Sequence, residues 1–318
     1  MLKNARLFQL REPFAWTGAT LEERLSARRF RPCGPLEAAT LGWSAPAGSG
    51  AQGDGALVHS VDQCLLICAR RQERLLPATV VAEALDERVA EIEGSEARTV
   101  GRAERRRLRE EITLDLLPRA FTRSRRILAY IDARTGWLVV DTASEKVAEE
   151  LLSLLRETLG SLPAVPPRPG GSATPRMTEW VSQGAWPDGF TLGDACELRD
   201  PKDSQSVIRC RGQDLSGEEM KGHLTAGKEV VQLALSWAEQ LDFVLGEDLS
   251  MKRLRLAESL LEEAAASDEE DPVVRLEAEL AILVGAMRGA LEGLAMALAL
   301  DPPDNASPLL VSSGTTIA

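Results

Sequence analysis

Residues 127–140 read ILAYIDARTGWLVV, two apolar runs separated by a short polar loop. The last loop residue is Gly136, which suits a hairpin turn that needs a positive φ. Thr142 and Glu145 then form a capping-box pattern, and Gly160 follows after about four helical turns. The segment therefore predicts a β-hairpin followed by a helix that ends at Gly160.

Upstream of this hairpin, the chain is predicted to hold one early helix and short strands. Thr20 and Glu23 form a second capping-box pattern, which predicts a helix over residues 21–29. Residues 45–56 are rich in Gly, Ala and Ser and predict a flexible loop. The apolar run LLICA at residues 65–69 predicts a buried strand.

Residues 78–117 have the periodicity of helices. Apolar residues between positions 81 and 92 recur every three or four positions, which places them on one helix face. We expect Gly94 to break this helix and Pro118 to stop the second helical stretch.

Downstream, the pattern again mixes strands with helices. Residues 160–176 contain five prolines and predict a linker or long surface connection. A strand is expected at residues 207–210, and Ser216 with Glu219 is expected to cap a helix. Residues 242–256 predict a second hairpin, and leucines spaced by three and four over 273–299 predict a long amphipathic helix.

Strands, hairpins and helices that do not alternate regularly are typical of an α+β fold. We predict a central α+β body from residues 1–75 together with 127–235. Residues 76–126 form a helical basic extension, and residues 236–301 form the hairpin plus the long amphipathic helix. The tail, residues 302–318, is expected to be disordered.

Composition indicates a cytoplasmic protein of ordinary globular type. Five cysteines are too few for a disulfide framework in a chain of this length, and their odd number cannot pair completely, so we expect reduced thiols. The first residues show no apolar stretch of signal-peptide length. The apolar stretch 280–300 carries Arg288 and Glu292, so a buried helix is favoured over a membrane span.

Two glycine motifs suggest nucleotide chemistry but lack its context. Residues 48–53 match G-x-G-x-x-G without a strand before or a helix after them, and Gly222 to Lys228 lacks the Mg²⁺-binding Ser or Thr of a Walker A loop. Only two histidines, His59 and His223, are present, which leaves little for a zinc site or a catalytic triad. We therefore expect no enzyme, no cofactor and no metal.

Charge is segregated along the chain. The formal net charge is −12, which by itself disfavours a nucleic-acid partner. Residues 98–126 hold ten arginines and four acidic residues, a net +6, whereas residues 239–304 carry a net −11. A phosphate backbone responds to local charge, so a basic surface on this acidic protein can still bind DNA.

The arginines of this segment are predicted to form one helical stripe. Arg98, Arg102, Arg105 and Arg109 fall within about 60° of one another on a helix. The alternative is a solvated helix face paired with nearby glutamates. A smaller basic group, Arg209 and Arg211 with Gln213 after them, is expected on a strand, where it can equally be an ordinary exposed face.

Several short segments occur in one order along the chain and together resemble the RdgC family of bacterial recombination-associated, nucleoid-associated proteins. They are FRPCG (30–34) with GW (42–43), ICAR (67–70), LLPRAF (116–121), GSLP (160–163), TEWV (178–181), VIR (207–209) with QDL (213–215), and KRL (252–254). The resemblance covers residues 1–290.

The resemblance implies an elongated, curved α+β subunit that forms a ring-shaped homodimer. Such a ring encircles duplex DNA with little sequence preference, binds single strands more weakly, and restrains a RecA-type recombinase by occupying DNA. Phe121, at the tip of the basic extension, is implied to lie at a dimer contact, with simple core packing as the alternative. Acidic residues outside the ring and arginines lining its hole would reconcile the net charge with DNA binding.

The DNA-facing segment of the family matches Arg211 and Gln213, but Gly212 stands where a lysine is usual. The arginines at 105–107 and 123–126 are candidates to compensate. Taken together, the candidate DNA-binding residues are Arg98, Arg102, Arg105, Arg106, Arg109, Arg119, Arg123, Arg209, Arg211, Gln213 and Lys228.

Two other functions stay open at this point. The leucine-striped helix or the acidic last third could dock a recombination partner, and a variant lacking residues 98–126 would then keep its biological effect. Gly222 to Lys228 could serve a nucleotide-dependent enzyme, which absence of ATP hydrolysis would exclude.

Overall fold

Over residues 2–48, 55–265 and 271–301, which the computed structural model describes, the chain forms twelve strands and eight helices. The strands are β1 (Asn4–Leu10), β2 (Ala39–Trp43), β3 (Val58–Val61), β4 (Cys64–Leu75), β5 (Phe121–Asp132), β6 (Trp137–Val140), β7 (Ala164–Val165), β8 (Phe190–Asp200), β9 (Asp203–Arg211), β10 (Glu229–Trp237), β11 (Leu241–Gly246) and β12 (Met251–Leu256). The helices are α1 (Gly18–Ser26), α2 (Ala78–Glu96), α3 (Arg102–Leu116), α4 (Glu145–Leu159), α5 (Ala173–Gln183), α6 (Glu218–Thr225), α7 (Glu258–Ala265) and α8 (Pro272–Ala297). The α+β prediction is confirmed.

One antiparallel sheet runs through the described residues, in the order β2-β4-β5-β6-β1-β12-β11-β10-β8-β9, with β3 beside β4 and β7 beside β1. Strand β1 joins its two halves. Asn4 and Ala5 pair with β12, whereas residues 6–9 pair with β6. The N-terminal strand therefore connects the hairpin of residues 121–140 to the hairpin of residues 241–256.

The half of the sheet that contains β4, β5 and β6 is buried on both faces. One face packs under α1 and α4, where Leu21, Leu25 and Leu151 are fully buried. The other face, with Leu66 and Tyr130, belongs to a second core. Burial on both faces explains why the run LLICA is continuously apolar, as predicted for a buried strand.

The other half, from β12 to β9, is buried on one face only. Strand β10 shows the consequence, because Leu233 and Leu235 are buried while the intervening Ala234 is only partly covered. Helix α8 covers the buried face with Leu280, Met287 and other residues of its predicted apolar stripe. Each leucine buried there contributes about 2 kcal/mol relative to an exposed one.

Arg288 ties helix α8 to the turn region of the sheet. Its Nε donates to Asp132 Oδ2 at 2.7 Å, its Nη2 donates to Asp132 Oδ1 at 2.9 Å, and its Nη1 contacts the Asp62 carboxylate. Burial raises the pKa of Asp132, but hydrogen bonds from Arg288 and Thr135 outweigh that effect and the pKa is lowered overall. Asp132 is therefore a buried carboxylate held in its charged form.

Helix α8 is also, within the described part of the chain, long and apolar enough to cross a membrane by length and composition. Half of its most apolar window is buried inside the fold. Gly289 and Gly293 let the helix approach the sheet closely, since a Cβ at either position would lie 2.7 Å from the Trp237 ring.

Several predicted boundaries are wrong, each for a local reason. Helix α1 starts at Gly18 because Thr17, not Thr20, is its N-cap, and the two threonines cap each other reciprocally. Gly94 does not break α2, since one glycine inside a helix costs only about 1 kcal/mol. The helix ends instead at Ala97, whose φ of 51° is left-handed.

The other corrections concern caps and the proline-rich connection. Ser144 is the N-cap of α4, while the Thr142 hydroxyl accepts from the Ser144 amide. Gly217, not Ser216, precedes α6. Of the two alternatives for residues 160–176, the free linker is wrong and the long surface connection holds, because this mostly exposed segment supplies β7 and the start of α5. The predicted loop at 45–56 falls partly, and the tail 302–318 wholly, outside the described residues.

Candidate nucleic-acid interface

Strands β4 and β5 extend past β6, with residues 70–75 of β4 paired with residues 121–126 of β5, and we call this extension the ribbon. Strand β2 borders β4 along it as far as Glu73, so only the last residues of the ribbon are two-stranded. Strand β6 stops short of it, since it pairs only with residues 129–132 of β5. The ribbon leads into helices α2 and α3, which pack on each other through Val81, Leu85 and Val89. This arrangement places the basic extension of residues 76–126 at the end of a ribbon.

Four predicted arginines line one groove between α2 and α3, which we call the tip surface: Arg102, Arg105, Arg106 and Arg109. The groove has a volume of about 560 Å³. Arg105 pairs with Asp86 at 3.0 Å and Arg106 pairs with Glu110 at 3.1 Å. Arg102 and Arg109 have no acidic partner within 4 Å among the described residues, so their charge is available to an anion.

Arg98 does not belong to the tip surface. It lies in the break between α2 and α3, so the predicted helical stripe that included it is wrong. Its guanidinium contacts Glu96 at 2.6 Å and Glu104 at 2.7 Å. The hydrogen bonds to Glu104 and Glu96 raise the pKa of Arg98, and the pairing lowers the pKa of Glu104. Two carboxylates thus balance this arginine.

Arg119 and Arg123 lie where the tip joins the ribbon. Arg119 is exposed in the short 3₁₀ turn after Pro118. Arg123 is exposed on β5 and donates to Glu73 on the paired strand, with Nε to Oε1 at 3.1 Å. The hydrogen bond from Arg123 lowers the pKa of Glu73. Arg123 is therefore partly neutralised, like Arg98.

A second basic groove lies on the sheet half that is buried on one face only, and we call it the sheet surface: Arg209, Arg211, Lys252 and Arg253. The first two stand on β9 and the last two on β12. Arg209 pairs with Glu197 at 2.8 Å. Within the part of the chain that the structure describes, the other three have no acidic partner within 4 Å.

Sequence reasoning did not place Lys252 and Arg253 beside Arg209 and Arg211. Strand pairing through β8, β10 and β11 brings them beside residues some forty positions earlier. Arg253 also has a left-handed φ of 55°, next to a register shift between β11 and β12. The local signals were two consecutive basic residues within an acidic third of the sequence and the KRL segment (252–254) of the family resemblance.

Gln213 and Lys228, both predicted to face DNA, occupy different places. Gln213 lines a third, larger groove, which is adjacent to the sheet surface and shares Arg253 with it. Lys228 is half-buried, and its Nζ donates to Ser206 Oγ at 2.7 Å, away from both grooves. Gly212 has a φ of 62°, so a lysine there would be strained. The structure thus brings Gln213, but not Lys228, next to the sheet surface.

Phe121 is 86 % exposed and stands at the far end of the ribbon. It pairs directly with Leu75, which is also exposed. Core packing, the alternative for Phe121, is therefore wrong. An exposed apolar pair at the end of a projecting ribbon is typical of a protein contact.

The motifs discounted for chemistry have structural roles. Gly222 lies inside helix α6 rather than in a strand-to-helix loop. His59 is buried and its Nδ1 lies 3.1 Å from Glu277 Oε1. Cys64 is buried, and burial raises the pKa of its thiol. Across residues 2–48, 55–265 and 271–301, no group of three or more His, Cys, Asp or Glu side chains is placed to hold a metal ion.

Comparison with known proteins gives one consistent result. The family model described as "RdgC: Putative exonuclease, RdgC" matches residues 1–300. Three curated relatives, each named recombination-associated protein RdgC, are similar over most of their own length. The protein of Tolumonas auensis is 40% identical over 93% of this chain and 97% of its own, that of Aeromonas hydrophila 41% over 93% and 97%, and that of Pseudomonas aeruginosa 42% over 89% and 92%.

Proposed function

The chain belongs to the RdgC family, and from this premise we propose that it acts in recombination by binding duplex DNA without sequence preference. The observation that carries the proposal is the sheet surface. Four basic side chains from two separate strands line one groove there, and only Arg209 has an acidic partner among the described residues.

Such a surface meets phosphates rather than bases. Phosphate contacts fix the position of a protein on DNA but carry no sequence information. Duplex DNA also presents a higher density of charge than a single strand. Binding is therefore tolerant of sequence, steeply dependent on salt, and weaker for single strands. The net charge of −12 comes from other side chains, chiefly the acidic residues of 239–304, the segment that also contributes Lys252 and Arg253 to the sheet surface.

We propose further that two copies form a ring around the duplex. Phe121 and Leu75 supply an exposed apolar contact at the end of the ribbon, where one tip can meet another. The tip and sheet surfaces then face the enclosed DNA, while the acidic residues face outward. Occupying DNA in this way restrains a RecA-type recombinase and places the protein on the nucleoid in the cytoplasm.

The first experiment measures binding to random-sequence duplex DNA across a salt series, on linear and closed circular molecules. We expect log Kd to rise with log salt with a slope near 0.9 for each phosphate neutralised, about 4 or more in total. Loading on closed circles should be slower than on linear DNA of equal length. A salt-independent affinity, or binding confined to particular sequences, contradicts the proposal.

Ring closure is tested separately at Phe121. The Phe121→Asp variant should sediment as a monomer, because a charge cannot be buried in an apolar contact. The matched control, Phe121→Leu, keeps an apolar side chain and should retain the dimer. A wild-type protein that is monomeric at concentrations where it binds DNA would remove the ring while leaving DNA binding intact.

A nuclease is the second candidate, since the description of the matching family model includes an exonuclease. We propose that DNA binding here is not coupled to catalysis. The measurement follows end-labelled duplex and single-stranded DNA with Mg²⁺ or Mn²⁺ present. Intact DNA at protein excess supports binding alone, whereas shortening that is lost in the Arg211→Gln variant would establish a nuclease.

Docking through the leucine-striped helix loses its support. Leu280, Leu283, Met287, Leu291 and Leu294 of that stripe are buried in the core shared with the sheet. The acidic residues of the last third stay a possible docking site for a protein partner. If the variant lacking residues 98–126 lost DNA binding yet kept its biological effect, that partner role would replace the proposed one.

A further inference from the structure

Two cysteines face each other directly across β8 and β9. The register pairs Cys196 with Cys210, so their side chains lie on the same face of the sheet. Directly opposed Cα atoms in antiparallel strands are about 4.5–5.5 Å apart, which lies inside the range that a disulfide spans. Of the five cysteines, all within the described residues, Cys64 and Cys68 share one strand and Cys33 contacts Thr40 and Gln72 instead.

The pair sits beneath the sheet surface. Strand β9 is the last strand of the sheet and is bonded only to β8. Arg209 and Arg211 flank Cys210 and, by the alternation of a strand, point to the opposite face. Both cysteines nevertheless contribute to the lining of the groove that holds these arginines. Because no strand among the described residues borders the outer side of β9 and Cys210 is only half-buried, a solvent-borne reagent can reach the edge strand at its cysteine.

We propose that Cys196 and Cys210 form a reversible disulfide that fastens edge strand β9 to β8 when the protein meets a hydroperoxide. Reversible, redox-responsive disulfides are the kind that occur in reducing compartments. The site is a modification site distinct in chemistry from DNA binding, and its formation needs no DNA.

The step proceeds in two stages. Cys210 is only half-buried, so the peroxide meets it first. Its sulfur attacks the peroxide, the O–O bond breaks, and Cys210 becomes a sulfenic acid. The leaving oxygen takes the thiol proton and departs as an alcohol, or as water when the oxidant is hydrogen peroxide. The Cys196 sulfur then attacks the Cys210 sulfur, the S–O bond breaks, and water leaves with the Cys196 proton. Two thiols have lost two electrons and the peroxide has gained them.

The burial of Cys196 fits this order. Burial raises the pKa of the Cys196 thiol to about 12, and the neighbouring Cys210 thiol adds to the shift. At neutral pH the buried thiol is therefore protonated and inert toward the oxidant. It reacts only once an electrophilic sulfur has formed beside it on Cys210.

The crosslink should hold Arg209 and Arg211 more rigidly, and this consequence rests on the proposed function. An edge strand bonded on one side opens more readily than a central one. Fastening it preorganises the two arginines, and preorganisation lowers the cost of binding. We expect the oxidised protein to dissociate from duplex DNA about threefold more slowly than the reduced protein.

The test treats the full-length protein with hydrogen peroxide, blocks free thiols, and maps the peptides by mass with and without dithiothreitol. We expect a 196–210 crosslink, lighter by two hydrogens, that dithiothreitol reverses. Cys196→Ser and Cys210→Ser should each abolish it. Cys33→Ser, a substitution at another half-buried cysteine, should keep it. Hydrogen exchange of the β9 amides should slow about threefold or more in the oxidised wild type.

Three results would overturn the proposal. Cys196 and Cys210 could react with the thiol-blocking reagent equally well before and after peroxide treatment. Alternatively, the crosslink could join other cysteines, or it could form only in urea. Because the crosslink is read by mass, its result does not depend on DNA. If the crosslink forms while the protein binds no DNA in either state, the proposed function fails and the disulfide stands. Equal dissociation rates for the two states refute the stated consequence for DNA.

Discussion

The tip surface and the sheet surface both collect four basic side chains, yet they are built in opposite ways. The tip arginines lie within eight consecutive residues of one helix, α3. The sheet residues come from two strands that three other strands separate. Two of the four tip arginines are paired with acids, whereas Arg209 alone is paired on the sheet surface, considering the residues described.

This difference shows that local abundance of arginine is a poor measure of available charge. Residues 98–126 are the most basic segment, but Arg98 and Arg123 as well as two tip arginines have acidic partners. Exposed ion pairs are worth only about 0–1 kcal/mol, so DNA can displace them at a modest cost. Fewer ion pairs must be broken at the sheet surface, so we expect it to contribute more to DNA affinity than the tip surface.

The largest effect should follow from removing the sheet surface. Replacing Arg209, Arg211, Lys252 and Arg253 with glutamine should weaken duplex binding about a thousandfold near 0.15 M salt and lower the salt slope by about 3 to 4. Binding to all sequences should fall alike, because the contacts proposed for these residues are to phosphates. A Kd series across salt concentrations measures both quantities.

The matched control removes four arginines that lie outside both surfaces: Arg28, Arg134, Arg176 and Arg275, each exposed and paired with an acid. It makes the same change in net charge. If this control lost as much affinity as the sheet variant, net charge rather than a defined surface would govern binding.

The next effect concerns the attachment of helix α8, which covers the buried face of the sheet half that carries the sheet surface. Arg288→Ala leaves the Asp132 carboxylate buried without its partner, which should destabilise the fold by about 3 kcal/mol in urea unfolding. The tip packs outside both hydrophobic cores and opens locally, so the exchange rates of the α2 and α3 amides in the absence of denaturant should be the same in Arg288→Ala as in the wild type. Arg134→Ala, at an exposed neighbour of Asp62, should cost about 1 kcal/mol or less.

The Arg288–Asp132 ion pair also predicts that the stability of the fold depends on pH. The pKa of Asp132 is lowered in the folded state, so its contribution to stability is complete above its unfolded pKa, near 3.9. That contribution should disappear as the pH falls through the lower folded pKa. Wild type and Arg288→Ala should therefore converge in stability toward low pH. A difference that stays constant down to acid unfolding would contradict this assignment.

Local parts of the fold could be predicted from the sequence, and long-range parts could not. The hairpin at 127–140 follows from strand propensity and Gly136, which has the expected positive φ of 73°. The buried strand at 65–69 follows from its continuous apolar run, and the apolar stripe of α8 follows from its periodicity. Boundaries such as Thr17 were missed because several threonines can cap a helix, and only packing selects among them.

The candidate site divides along the same line. Arg102, Arg105 and Arg109 share one groove, as helical spacing predicts, and Arg106 joins them there. The prediction for Arg98 was wrong because α2 ends at Ala97, whose φ is left-handed, and α3 begins only at Arg102, so Arg98 belongs to neither helix. Lys252 and Arg253 were missed because their position depends on the register of strands far apart in sequence. Such registers are set by core packing, which no short motif encodes.

A smaller loss of affinity should follow from removing the tip surface. Replacing Arg102, Arg105, Arg106 and Arg109 with glutamine should weaken binding about thirtyfold near 0.15 M salt, since only two of the four charges are free. The salt slope should fall by about 2. A loss equal to that of the sheet variant would show that the ion pairs of the tip are fully released on binding, and the distinction between the surfaces would vanish.

The smallest effects should come from replacing the acidic side chains that pair with the two surfaces, instead of the basic ones. Glu197→Gln frees Arg209 on the sheet surface and should tighten duplex binding about threefold at fixed salt. Asp86→Asn frees Arg105 at the tip and should tighten duplex binding by less than about twofold. The Asp86 side chain is 72% exposed, whereas that of Glu197 is only 19% exposed. Water therefore already weakens the ion pair at the tip. Both variants lose one negative charge, so net charge cannot account for a difference between them. Tighter binding by Asp86→Asn than by Glu197→Gln would mean that the tip, despite its ion pairs, is the surface that DNA meets first.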